Sequence, residues 1–169
     1  PVSSEVLGRR VKVLLSDPKD LRLDLPIEGL LDWESIDFIN TGVPHVVIRV
    51  KDLESIPVKE IGRKIRFHRM FPQGTNVNFM RRVEKNSIEV RTYERGVEDE
   101  TLACGTGSIA CALISSIRDG VSSPVDVKTR GGEILRIYFK KEKDHFFDIW
   151  LEGDTNIVYI GRLHKEALL

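Results

Sequence analysis

Apolar residues recur along this chain in short runs of period two, separated by turn residues. Arg9–Leu15 (RRVKVLL), Asp20–Leu25 (DLRLDL) and Ser35–Asn40 (SIDFIN) alternate apolar and polar positions, as strands with one buried face do. His45–Val50, Asn76–Val83 and Ser87–Glu94 continue the pattern, and so do Val125–Arg130, Glu133–Phe139, Phe146–Glu152 and Thr155–Leu163. Lys85-Asn86, set between two such runs, predicts a tight hairpin. Two stretches break the period. Pro57 can open a helix at its first position, with Val58, Ile61, Ile65 and His68 spaced by three and four. Ser108–Ile117 is apolar nearly all round, which predicts a helix buried on most sides. Asp119-Gly120 should stop it, glycine taking the left-handed conformation. About nine strands with one buried helix predict an α+β fold, a curled and mainly antiparallel sheet wrapped around that central helix.

Composition narrows this little. The 169 residues suit a single domain. With 41% hydrophobic and 31% charged residues the chain can bury a core and stay soluble. Its 26 bases and 26 acids balance, so no overall field recruits nucleic acid or an anionic membrane. No apolar run approaches the ~20 residues of a membrane span. No secretory signal is evident. Two cysteines cannot form a disulfide framework, and a cytoplasmic setting is the expectation. The chain opens at Pro1 with almost no lead-in to its first strand, as a processed or truncated product would.

Candidate chemistry concentrates in YERGVEDETLACGTGSIACALI, Tyr93–Ile114. Cys104 precedes Gly105-Thr106-Gly107 at the mouth of the buried helix. Unsatisfied N–H groups and the positive helix end favour a thiolate there, and they can also grip a carboxylate or phosphate. The plain reading, a small core residue before a capped helix, stands beside the reactive one. Cys111, two turns on, reads as core packing. The C-x6-C spacing has no further His or Cys cluster to make a metal site, and Gly-Thr-Gly is no dinucleotide fingerprint. His45 follows a Gly-x-Pro turn at a strand start, where a structural histidine is the common outcome. Asn76 and Asn78 lie beyond a Pro-Gln-Gly turn, where asparagines mostly hold turns together. His68, His145 and His164 receive no role.

TGVPHVVI, FPQGTNVNFM, YERGVEDETLACGTGSIACA, GGEILRIYF and LEGDTNIVYIGRL follow one another in this chain. In that order they resemble the C-terminal half of the diaminopimelate epimerase family. Proline racemases and phenazine-pathway proteins share the family's two-lobed fold. The resemblance implies one lobe of such a fold, with the active site between lobes. It implies inversion of an α-carbon of LL-diaminopimelate to the meso form by two cysteines, without pyridoxal phosphate, other cofactor or metal. By motif, Cys104 matches one acid–base cysteine, with His45 and Glu94 assisting the thiols. Asn76, Glu94 and Arg95 match positions holding the distal end of the substrate. Gly105 and Thr106 match the turn gripping the reacting α-carboxylate.

Some residues depart from the family. Gly42-Val43-Pro44-His45 stands where Gly-Asn-Pro-His is usual, and the tail lacks the Gly-Pro-Ala turn. No Cys-Gly-Asn-Gly motif supplies the second cysteine, and Cys111, about 10 Å along the same helix, cannot reach the opposite face of one carbon. The expectation is therefore a C-terminal lobe, inactive alone, whose N-terminal lobe lies outside the chain, with a homodimer as the family's common state. Two other readings stay open: an isomerase of another amino acid, and a non-catalytic module that kept the fold.

Overall fold

The computed structural model describes residues 3–27 and 33–168. In chain order it holds β1 (Ser4–Leu7), β2 (Arg10–Leu15), β3 (Lys19–Arg22), β4 (Ser35–Asn40), β5 (Pro44–Arg49), α1 (Val58–Arg66), β6 (Asn76–Glu84), β7 (Ser87–Glu94), β8 (Asp99–Thr101), α2 (Gly105–Arg118), β9 (Val125–Lys128), β10 (Ile134–Glu142) and β11 (His145–Asp154). The strands join one sheet in the order β1-β2-β11-β10-β9-β7-β6-β5-β4-β3, with β8 attached to β7.

The α+β class and the mainly antiparallel pairing agree with the pattern, but the sheet is large, open and mixed rather than curled. β5 pairs β6 in parallel, and β7 pairs β9 in parallel. The two helices are the reason. Helix α1 lies in the connection from β5 to β6 and α2, after β8, in the connection from β7 to β9, and a crossover through a helix leaves such neighbours parallel. The remaining pairings are antiparallel. Residues 85 and 86 do turn the β6–β7 hairpin, Glu84 facing Ser87.

Alternation along the strands separates two cores. Val46, Ile48, Val77, Phe79 and Tyr93 pack with Val58, Ile61 and Ile65 of α1. Val47, Met80, Ile88 and Val90 pack on the opposite face with Ile109, Leu113 and Ile114 of α2. Successive side chains point to opposite faces, and strands covered on both sides read as nearly continuous apolar runs. Helix α1 lies so close that a Cβ on Gly62 would fall 2.4 Å from Tyr93 Cβ. His68 falls beyond α1, where its Nδ1 accepts the Met70 N–H at 3.3 Å.

Helix α2 starts three residues earlier than its apolar spacing predicts, because Gly-Thr-Gly is its first turn. It stops as expected, with Gly120 at φ +66. Its far end is tied to the sheet. Arg118 pairs with Asp37 of β4, which is fully buried and also accepts Ser35 Oγ at 2.8 Å. Arg118 reaches Asp24 as well, and Asp119 pairs with Arg49 of β5.

One predicted strand is absent. Among the described residues Thr155–Leu163 has no sheet partner, and Ile157, Val158, Tyr159 and Ile160 are 83–93% exposed. Alternation gives a segment strand character, but pairing needs a neighbouring edge. Strands β1 and β8 escape the pattern because β1 is exposed throughout and β8 is three polar residues long. Among the described residues no helix is long and apolar enough to cross a membrane.

Candidate active site

Polarity changes along the sheet face that carries α2. Under the body of the helix that face presents Val47, Met80, Ile88 and Val90. Toward the helix N-terminus the same strands present His45, Asn76, Asn78 and Thr92 instead, all buried. Register brings them together: His45 lies opposite Asn76, and Asn78 opposite Thr92. A buried polar group must find partners, and for His45, Asn78 and Thr92 these include one another and the helix start.

Cys104 is the N-cap of α2, in extended conformation and half-buried. Its Sγ lies 3.7 Å from Thr106 Oγ1. His45 Nε2 lies 3.0 Å from the same hydroxyl, and Asn78 Nδ2 lies 3.1 Å from His45 Nδ1. Asn78 Nδ2 also donates to the Val46 carbonyl at 2.8 Å, while Thr92 Oγ1 donates to Asn78 Oδ1 at 3.0 Å. Thr41 Oγ1 donates to the Thr106 carbonyl at 2.9 Å, fixing the first turn from the other side. Gly107 is required by close approach. A Cβ there would fall 2.4 Å from Asn78 Oδ1 and 3.2 Å from Cys104 Sγ.

Burial pushes the Cys104 thiol up, against the Gly107 N–H and the Thr106 hydroxyl that favour its charged form, and the Glu94 charge adds to the rise. The expectation of an acidic thiol is therefore corrected: withdrawal from water outweighs the donors. Cys111 is fully buried in the helix core, as its position predicts, and burial raises its thiol much further. Burial, with the Arg95 charge second, lowers His45 to about 3. The ring is a neutral imidazole at neutral pH.

The remaining predicted residues form a rim. Three of the four acids in Glu94–Glu100 are engaged: Glu98 with Arg66 and Tyr93, Asp99 with Lys59, and Glu100 with Arg91. Among the described residues Glu94 has no ion-pair or side-chain hydrogen-bond partner, although its charge reaches Cys104. Arg95 donates to the Gln73 carbonyl at 3.0 Å and, among the described residues, pairs with no carboxylate. Asn76 spans backbone on both sides, donating to the Pro44 carbonyl at 3.0 Å and accepting the Arg95 N–H at 2.8 Å. It thus holds in place the loop that carries Glu94 and Arg95. Gly105 opens α2 against Leu151, whose Cδ1 would lie 3.2 Å from a Cβ.

The structure thus brings Cys104, Thr106 and His45 into one chain of contacts, with Glu94 and Arg95, which form no ion pair among the described residues, near enough for their charges to reach Cys104 and His45. His45 reaches the sulfur through Thr106, with no direct hydrogen bond to it among the described residues. Thr92 and Thr41 carry no local signal of this role. Asn78 carries one: a polar residue inside an apolar strand, on the face turned to α2. Among the described residues no cluster of three His, Cys, Asp or Glu side chains is arranged to hold a metal.

Residues 38–157 match the family described as diaminopimelate epimerase. A relative from Archaeoglobus fulgidus, named diaminopimelate epimerase, is 54% identical over 95% of this chain and 58% of its own length. One of the same name from Aquifex aeolicus is 49% identical over 95% of the chain and 57% of its own length. The chain belongs to the diaminopimelate epimerase family. It spans a little over half the length of these curated relatives. Solved structures share its fold at low identity. A Bacillus anthracis phenazine biosynthesis protein of the PhzF family superposes at TM-score 0.68, with 16% identity, over 91% of this chain and 61% of the other. A hydroxyproline epimerase from Agrobacterium vitis superposes at 0.62, also with 16% identity, over 90% and 53%.

Proposed function

We propose that this chain carries one of two acid–base cysteines of an enzyme that interconverts LL- and meso-diaminopimelate in the cytoplasm, within lysine and peptidoglycan-precursor biosynthesis. The observation that carries the reading is the position of Cys104, with the Thr106 and Gly107 N–H groups and the charge of Glu94 all within reach of its sulfur. In one direction a thiolate takes the α-proton as the Cα–H bond breaks, and the electron pair delocalises into the α-carboxylate. The opposite thiol gives its proton to the other face of the carbon. No electron acceptor is required. A thiol that burial keeps protonated suits the delivering role, and the N–H groups of Thr106 and Gly107 support the thiolate left behind. The same helix start can hold the α-carboxylate. Glu94 and Arg95 fit the distal ammonium and carboxylate, and Asn76 holds their loop.

The second cysteine belongs to the part of the enzyme outside this chain, since Cys111 is sealed in the core of α2. The exposed apolar run Ile157–Ile160 would suit contact with that part. A second reading keeps the reaction and changes the amino acid. Val43, half-buried before Pro44, offers no side-chain polar contact to a substrate.

In the two-lobed enzyme, Cys104→Ala should lower both epimerisation and exchange of the α-proton with deuterated solvent, roughly 10³-fold or more for a lost acid–base group. Near-normal epimerisation in that variant would remove Cys104 from the chemistry. Faster exchange with proline than with diaminopimelate would favour the second reading.

A further inference from the structure

The polar cluster at the start of α2 has a direction, and one amide sets it. Asn78 can face its surroundings in only one way. The Val46 carbonyl, 2.8 Å from one end of the amide, can only accept, so that end is the NH2 group. Thr92 Oγ1, 3.0 Å from the other end, then donates to Oδ1. One Nδ2 proton is taken by Val46, and the second points at His45 Nδ1, 3.1 Å away. A nitrogen that accepts a proton in this way must carry a lone pair. The ring proton of a neutral His45 is therefore on Nε2, and it is donated to Thr106 Oγ1 at 3.0 Å. Having accepted there, the Thr106 hydroxyl has its own proton to give, and Cys104 Sγ is 3.7 Å away.

We infer that Asn78 is a positioning residue for the acid–base sulfur: by holding His45 as the Nε2–H tautomer it turns the Thr106 hydroxyl proton onto Cys104 Sγ. In the opposite tautomer Nε2 would accept, Thr106 would give its proton to the ring, and the sulfur would face oxygen lone pairs that repel a thiolate. Gly107 belongs to the same device, since any side chain there would displace Asn78 Oδ1. The inference rests on the reading of Cys104 as an acid–base residue, but its first test does not.

In the chain labelled with 15N-histidine, with His45→Gln used for assignment, the His45 Nδ1 resonance at pH 7 should be that of an unprotonated nitrogen and Nε2 that of a protonated one. A proton on Nδ1, or a ring titrating as imidazolium near neutral pH, overturns the inference. These shifts report the tautomer whether or not Cys104 turns over a substrate, so failure of the functional reading and failure of this one are distinguishable. The second test follows iodoacetamide alkylation of the Cys104 peptide against pH. Thr106→Val and Asn78→Leu should each raise the midpoint by about one pH unit, the worth of one hydrogen bond to a charged group. Thr106→Ser should leave it in place. A midpoint unmoved in Asn78→Leu means that the amide is only structural. If that variant does not fold, equal midpoints in Thr106→Val and Thr106→Ser overturn the inference just as well.

Discussion

The two ends of α2 solve the same problem in opposite ways. A helix leaves unsatisfied carbonyls at one end and unsatisfied N–H groups at the other, with partial charges to match. At the C-terminal end the sequence supplies what the helix wants. Arg118 sits in the last turn and pairs with Asp37 and Asp24, Arg49 pairs with Asp119, and Gly120 turns the chain away. At the N-terminal end it withholds it. No acid lies in the first turn, and the N-cap is a cysteine whose side chain makes no capping hydrogen bond. The contrast separates an end that the fold closes from one that it leaves without a side-chain cap; on the proposed reading, local stability is given up there so that an anion can be bound.

The largest expected effect uses the two thiols of this one helix. Cys104 is half-buried at the open end, whereas Cys111 is fully buried seven residues on. Alkylation of Cys111 must await unfolding of the core, whereas Cys104 needs only local access. At pH 8 the Cys104 peptide should react at least ~10³-fold faster, the scale of a core opening equilibrium. Comparable rates would mean that the start of α2 is as closed as its middle, and the comparison would fail.

How much of this was legible depends on how local each signal is. Cys104, Gly105 and Thr106 declare themselves because a helix start is written in consecutive residues. Gly120 and the 85–86 turn do so for the same reason. The parallel pairings β5–β6 and β7–β9 were implied by the two helices, yet alternation says only that a strand has faces and not which strand lies beside it. Thr155–Leu163 carries strand alternation without a partner to pair with. Asn78 is readable as a polar residue in an apolar strand, but its meeting with Thr92 and His45 depends on register between three strands. The acidity of Cys104 was misjudged because the sequence shows the donors around the sulfur and hides the depth at which it sits.

The next two effects are of similar size and test the ends separately. Among the described residues, Asp37→Ala leaves Arg118 with only its exposed partner Asp24, and it empties a fully buried site. It should lower the unfolding free energy by roughly 3 kcal/mol in urea titrations, with the alkylation rate of Cys104 unchanged. If that rate rose along with the instability, the two ends would be one cooperative unit rather than two designs. At the other end, His45 is held neutral, its pKa lowered from 6.5 to about 3. An unfolded chain binds a proton on this ring as pH falls through 6.5, whereas the folded one does not until about pH 3. Stability should therefore fall on acidification through that window, by roughly 3 kcal/mol between pH 7 and pH 4 from this group. Carboxylates also titrate there, so the measure is the difference from His45→Gln, whose loss over the same range should be shallower. Parallel curves would mean that the ring is protonated in the fold, and the neutral cluster at the start of α2 would be misassigned.

The smallest effect has the opposite sign. A thiol is a poor N-cap, whereas serine accepts the N–H of the second or third helical residue, here Thr106 or Gly107. Cys104→Ser should therefore raise the unfolding free energy by about 0.5–1 kcal/mol in the enzyme or in this chain, while epimerisation by the two-lobed enzyme is lost with the sulfur. Stability gained as activity disappears is what a residue retained for chemistry at the expense of the fold predicts. The core-packing alternative predicts the reverse, because serine in an apolar contact would lose burial and leave a hydroxyl to satisfy. A drop of more than 1 kcal/mol would thus restore the plain reading of Cys104 and dissolve the distinction between the two ends of α2.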